Sequence, residues 1–331
     1  MQSLRTLLKS KGYSCYSYME FCPGYNDKIS HLESARMVRH DLDQGKKVIF
    51  LDWEHERVLR YFADYQFLGL ETILGNHYET NNWAISVPTF GHNDFGKHQI
   101  NNLEFLIYVN TFNQNFEPKH IDHSNKTRDF LFLNGKPHPH RVFLLKELQQ
   151  KEMLSNSLWS ASAPGFSWGH MEKTLDPNFE WPEWKLQSVD GYHRTTRQIH
   201  FPMYNQSVCS IVSETSCEND FHYITEKTCK PLMAEHVFVI LSGKGFLKNL
   251  RNLGFRTFND HFDETYDDCE YLTERVKRIL VTLKSIQQMD YRKLYEDTKE
   301  IREHNRKLFF NPDFYKEFNE RQLQRLEKMF G

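Results

Sequence analysis

No stretch of ~18 consecutive apolar residues occurs in this 331-residue chain, so nothing in it reads as a membrane-spanning helix. There is no surplus of charge of one sign. Against 44 Asp and Glu stand 42 Lys and Arg, and a net charge of -2 provides no global basic field to attract nucleic acid. Met1-Gln2-Ser3-Leu4-Arg5 does not lead into the apolar core of a secretory signal. The six cysteines, Cys15, Cys22, Cys209, Cys217, Cys229 and Cys269, form no C-x-x-C pair, which argues against a zinc site. They read as reduced thiols, and the expected setting is cytoplasmic. The P-loop, G-x-G-x-x-G and G-x-S-x-G patterns are all missing, as are solenoid repeats and low-complexity tracts.

The chain does contain alternating strand and helix signals. Lys47 to Leu51 is a short apolar run ending at Asp52, the mark of a buried strand. Helix-like spacing follows over 56–68, and Thr72-Ile73-Leu74 and Trp83 to Val87 are further strand candidates. The polar stretch 117–128 is a candidate linker. A second cycle starts with strand 130–133 and a helix over about 140–151, followed by strands at 158–160, 207–212 and 237–241. An amphipathic helix is expected from Gly245 to Leu253, and further helices over 270–288, 290–307 and 313–329. The acidic run from Asp260 to Glu270 is expected to cap the helix after it. The alternation predicts an α/β protein with parallel, doubly wound sheets. The length suggests two domains, which the linker divides into 1–125 and 126–312, with 313–331 as a C-terminal helix.

In open parallel sheets, ligands bind beyond the carboxyl ends of the strands, so the residues just after each strand matter most. Phe221-His222-Tyr223-Ile224-Thr225-Glu226-Lys227-Thr228 reads as a loop entering a helix. Thr225 is suited to cap that helix, and helix N-termini attract phosphate. Lys227 could neutralise a diphosphate there, and Glu226 could accept hydrogen bonds from a ribose. A Lys in the first turn opposes the helix dipole, which favours a functional reason for it. Pro231 is expected to make the helix irregular. Arg141, in the first turn after strand 130–133 and Asn134-Gly135, has the forked geometry suited to phosphate. Glu214 follows strand 207–213 directly. Asp52 and Glu54 follow strand 47–51 and could serve as a general base, with Glu71, Glu79 and Asp94 next in line. His120 with His123, and His138 with His140, lack a convincing third metal ligand.

Ser207 to Thr215, followed by Tyr223-Ile224-Thr225-Glu226-Lys227, resembles the donor-binding signature of the alpha-1,3-fucosyltransferase family. Phe130 to Leu148, with Asn134, Pro137 and Arg141, resembles that family's strand, Asn-Pro turn and phosphate-binding arginine. Val48 to Glu56 resembles its acidic loop and points to Glu54 as base. The resemblance implies a GT-B fold, two Rossmann-like domains facing across a cleft with C-terminal helices, the last of which crosses back to the first domain. It also implies an inverting, metal-independent glycosyltransferase with no cofactor. Asn134, Arg141, Glu214, Tyr223, Thr225, Glu226 and Lys227 would bind the donor, and Glu54 or Asp52, Arg141 and Lys227 would be catalytic. Thr215 stands where the fucosyl enzymes carry Asn, and Lys230-Pro231 lies outside their signature, closer to less studied viral and bacterial glycosyltransferases. The donor therefore stays open between GDP-fucose, UDP-xylose and other nucleotide sugars. The expected partners are that donor and a glycan acceptor, without nucleic acid or membrane span. The competing readings are a DNA-modifying glycosyltransferase and a non-catalytic sugar-binding protein of the same fold.

Overall fold

The computed structural model describes residues 3–17, 31–51, 70–87, 89–90, 96–113, 121–134, 138–160, 199–219 and 222–331. The chain forms two compact units, residues 1–108 with 311–331, and residues 109–310. The boundary read from the polar stretch, between 125 and 126, lies inside the second unit.

The first unit is built on a parallel sheet of β1 (Ser14–Ser17), β2 (Val48–Leu51), β3 (Trp83–Val87) and β4 (Gln99–Asn101), in that order. Successive side chains of a strand point to opposite faces, and β2 buries both. Val48 and Phe50 pack with Ala35, Val38 and Leu42 of α2 (His31–Asp43) and with Leu70, Ile73 and Leu74 of α3 (Leu70–Leu74). Ile49 and Leu51 pack on the other face with Leu4 and Leu8 of α1 (Leu4–Ser10), and with Leu323 and Leu326 of the C-terminal helix Pro312–Phe330. Coverage on both faces is why β2 is an uninterrupted apolar run.

Thr72-Ile73-Leu74 is helical, which corrects the strand expectation. Leu70, Ile73 and Leu74 recur at the i, i+3, i+4 spacing of a buried helix face, a period that three residues alone cannot reveal. The expected helix over 56–68 lies outside the described residues.

The helix α4 (Glu104–Phe112) leads into the second unit. Its sheet holds β5 (Arg128–Leu133), β6 (Leu158–Ser160), β7 (Ser207–Ser213) and β8 (Val237–Leu241) in the order β8-β7-β5-β6, all parallel. The helix α5 (Pro139–Gln150) joins β5 to β6, and α6 (Phe201–Gln206) enters β7. Then α7 (Glu226–Met233) crosses to β8, and α8 (Phe246–Asn252) and α9 (Leu272–Gln288) follow. The expected helix 290–307 is two, α10 (Tyr291–Asp297) and α11 (Lys299–Phe310). They part at Thr298, whose hydroxyl turns back to the Leu294 carbonyl at 2.6 Å and accepts from Arg302 Nε at 3.1 Å. A side chain that competes for the backbone in this way ends a helix that apolar spacing alone would continue.

The strand order of this sheet is not sequential. From β5 the chain steps outward to β6, then returns to the far side of β5 for β7 and moves away to β8. The order therefore reverses between β5 and β7, the topological switch point of a doubly wound sheet, where the connections leave in opposite directions and open a crevice at the carboxyl ends. Among the described residues the first sheet runs in sequence and has no such point.

Candidate anion site at the switch point of the second sheet

Asn134 and Glu214 stand at the carboxyl ends of the two switch-point strands. Asn134 is 5 % exposed, and among the described residues neither polar atom of its side-chain amide has a hydrogen-bond partner. A buried amide left in this state is costly, and it lies at the carboxyl end of a switch-point strand, where doubly wound sheets bind their ligands. Its backbone N–H is held by the Ser160 carbonyl at 3.0 Å, which fixes where the side chain starts.

Pro139 opens α5 behind the extended His138, a position where the missing N–H is not needed. This sets Arg141 in the first turn. Arg141 is 3 % exposed and reaches Thr215 Oγ1 from Nη2 at 3.5 Å. The adjacent His140 donates from Nε2 to the Glu214 carbonyl at 2.8 Å, tying the start of α5 to the end of β7.

Glu214 is fully buried and serves as an internal staple. One carboxylate oxygen accepts from the Thr225 backbone N–H at 3.1 Å and the Thr228 hydroxyl at 2.5 Å. The other accepts from the Thr225 hydroxyl at 2.6 Å and the Thr215 N–H at 3.3 Å. Burial pushes its pKa up, opposed by Lys227 and by the Thr225 and Thr228 hydrogen bonds. With its acceptor sites filled by protein donors, Glu214 locks α7 against β7.

Thr225 caps α7 as expected, accepting from the Lys227 N–H at 3.3 Å. Lys227 then extends its ammonium to Glu226 Oε1 at 2.9 Å, Thr225 Oγ1 at 3.3 Å and Thr215 Oγ1 at 3.4 Å. Thr215 Oγ1 is thus approached by both Arg141 and Lys227, one hydroxyl joining two cations. Burial raises the pKa of Glu226, but Lys227 and Lys230 outweigh it and the net shift is downward, so Glu226 is an ionised acceptor. Tyr223 is buried at 2 % exposure just before this turn. The helix continues through Pro231 as a regular α-helix, against the expected irregularity. Proline in that place removes only one amide hydrogen bond, and the burial of Leu232 and Met233 holds the last turn.

The loop after β7 is held from behind by a residue that sequence reading missed. Arg275 of α9 is 1 % exposed and donates to the Ser242 carbonyl at 2.7 Å, the Cys269 carbonyl at 2.6 Å and Asn219 Oδ1 at 2.8 Å, with a longer contact to the Cys217 carbonyl at 3.4 Å. Its signal was present, because Arg275 falls on the same helix face as Ile279 and Leu283, where an unpaired charge is out of place. Thr215 and Thr228 were missed as well. Their roles depend on contacts with Glu214 and the two cations that no spacing rule encodes.

The acidic run caps a different helix from the one expected. Asp267 accepts from the N–H groups of Leu247 and Lys248 at 2.9 and 3.1 Å, the first turn of the preceding helix α8, while α9 starts without a side-chain cap. Gly245, left-handed at φ 81°, precedes α8 and has no side chain to cap with, so the acid comes from a distant loop. Asp52, Glu54 and Asp94 lie outside the described residues. Glu79 is exposed in the turn after α3, and Glu71 lies within α3. His123 accepts from Lys126 at 2.9 Å, and His138 stacks on His140 with centroids 5.7 Å apart. Among the described residues no three His, Cys, Asp or Glu side chains are grouped to hold a metal, and no helix is long and apolar enough to cross a membrane.

The chain is thus an α/β protein with two parallel four-stranded sheets and a cationic, helix-capped switch point on the second. Comparison with protein-family models, characterised proteins and solved structures finds no match, so the functional reading rests on the residues themselves.

Proposed function

We propose that the protein is a nucleotide-sugar-dependent glycosyltransferase of the two-domain GT-B kind, with its donor site at the switch point of the second sheet. The observation that carries this reading is the convergence of Arg141 and Lys227 on Thr215, beside a capped helix N-terminus and the ionised Glu226. Two cations that meet on one hydroxyl suit a diphosphate. A carboxylate next to them suits a ribose, whose hydroxyls donate. The unsatisfied Asn134 amide supplies both a donor and an acceptor to the same crevice.

The proposed reaction is an in-line displacement at the anomeric carbon. The acceptor hydroxyl oxygen bonds to that carbon as the carbon–oxygen bond to the diphosphate breaks. The hydroxyl proton passes to a carboxylate, Glu54 or Asp52 by the sequence reading, and the electron pair leaves with the diphosphate. Arg141 and Lys227 stabilise the charge that grows there, a contribution strongest in the transition state.

The test is release of nucleoside diphosphate from a panel of GDP- and UDP-sugars, with and without glycan acceptors. Arg141→Ala and Lys227→Ala should each lower turnover by roughly 10²–10³. Nucleotide binding without release or transfer would replace this reading with the non-catalytic sugar-binding one. Tight, salt-sensitive binding of duplex DNA would favour a DNA-modifying transferase.

A further inference from the structure

Lys230, in the second turn of α7, is 9 % exposed. Among the described residues its ammonium has no hydrogen-bond or ion-pair partner, unlike Lys227 three residues earlier, which has three. It stands at i+4 from Glu226, so the two share a helix face. Their charges act on each other, and Lys230 also acts on His200 at the start of α6. A lysine whose stem is buried while its ammonium bonds to no described protein group is left able to meet an anion. The neighbouring Glu226 is already bonded to Lys227 at 2.9 Å.

We propose that Lys230 is a second anion contact of the switch-point site, taking the phosphate nearer the nucleoside in a nucleoside diphosphate while Arg141 and Lys227 take the outer one. The assignment rests on the donor-site reading above and deepens it. Arg141 and Lys227 are joined through Thr215, whereas Lys230 is grouped with Glu226, the ribose-side residue. Two separately held groups of cations suit the two phosphates of a sugar nucleotide. The site is therefore built to read two phosphates separately.

The experiment is titration calorimetry of the full chain with GDP, UDP and the corresponding monophosphates, on the wild type, Lys230→Met and Lys227→Met, alongside thermal unfolding without ligand. Lys230→Met should weaken the diphosphate and its monophosphate by the same factor, about tenfold or more for a lost charge-assisted contact. Lys227→Met should weaken the diphosphate and spare the monophosphate. Without ligand, Lys230→Met should unfold at the same or a higher temperature than wild type, the opposite of what a purely structural lysine would give. If the Met variant does not fold, Lys230→Gln takes its place in the same comparison. Unchanged affinity in the Lys230 variant, or a loss confined to the diphosphate, overturns the assignment and leaves the donor site standing. A wild type that binds no nucleotide overturns the donor site and this inference with it.

Discussion

Glu214 is a residue whose place follows from the sequence and whose hydrogen bonds do not. The sequence places it at the end of a buried strand, and there it is. Its carboxylate is occupied by Thr215, Thr225 and Thr228 rather than facing a ligand. Removing it strands several buried donors at once, so Glu214→Ala should cost about 3 kcal/mol or more, measured by urea unfolding. Glu214→Gln, which keeps one acceptor oxygen, should lose less. Arg141 is the residue whose sequence reading and position agree most closely. Its planar fork is not reproduced by an ammonium, so Arg141→Lys should fold normally and still lose donor affinity or turnover, on the order of tenfold or more. A fully active Arg141→Lys protein would remove Arg141 from the phosphate site.

At the scale of elements, the strands of the second sheet were legible because burial on both faces leaves continuous apolar runs such as Val237 to Leu241. The cap at Thr225 was legible because capping is local chemistry. The split at Thr298 and the cap that Asp267 gives to α8 were not, since each depends on a side chain choosing a backbone partner that periodicity does not specify. Gly243 belongs with these. A Cβ there would lie 2.0 Å from the Glu218 carbonyl oxygen. The loop after β7 passes directly over that backbone. Gly243→Ala must push the loop away from the turn that Arg275 secures. The expected cost is about 1–3 kcal/mol, together with weaker nucleotide binding. An alanine variant of unchanged stability would show that the loop yields freely and that its position is not fixed by this contact.

For the molecule as a whole, pH should act through a buried basic group at the opposite, amino end of the second sheet. Lys126 donates to the Tyr204 carbonyl at 2.8 Å and lies 4.4 Å from the centre of the Tyr295 ring, which Arg302 also faces at 4.3 Å. Burial, with Lys126 and Arg302 alongside, pushes His123 down to about 3. Burial, with Lys126 and His123, holds His236 well below its usual value. His236 instead donates to the Ser207 carbonyl at 2.7 Å and meets Ser210 Oγ at 2.9 Å as a neutral ring. For bases depressed in the folded state the unfolded chain binds more protons, so stability rises with pH. The contribution of these two histidines is complete above the unfolded value near 6.5 and is lost as pH falls from there toward 3. Urea unfolding followed from pH 7 to pH 4 should show that decline, and His236→Gln should flatten it. An identical slope in the variant would place the acid sensitivity elsewhere.

The central claim is that the reversal of strand order between β5 and β7 makes a nucleoside-diphosphate site from Arg141, Lys227 and the start of α7. Its most direct test is thermal unfolding of the purified protein with GDP, UDP, CMP and dTDP, each with and without EDTA, on the wild type and on Arg141→Ala. A ligand present at 100 times its Kd stabilises the fold by about 2.7 kcal/mol, enough to move the midpoint clearly. The account predicts a shift with at least one nucleoside diphosphate that survives EDTA and disappears in Arg141→Ala. A wild type that responds to no nucleotide, or a shift that persists undiminished in Arg141→Ala, would contradict it.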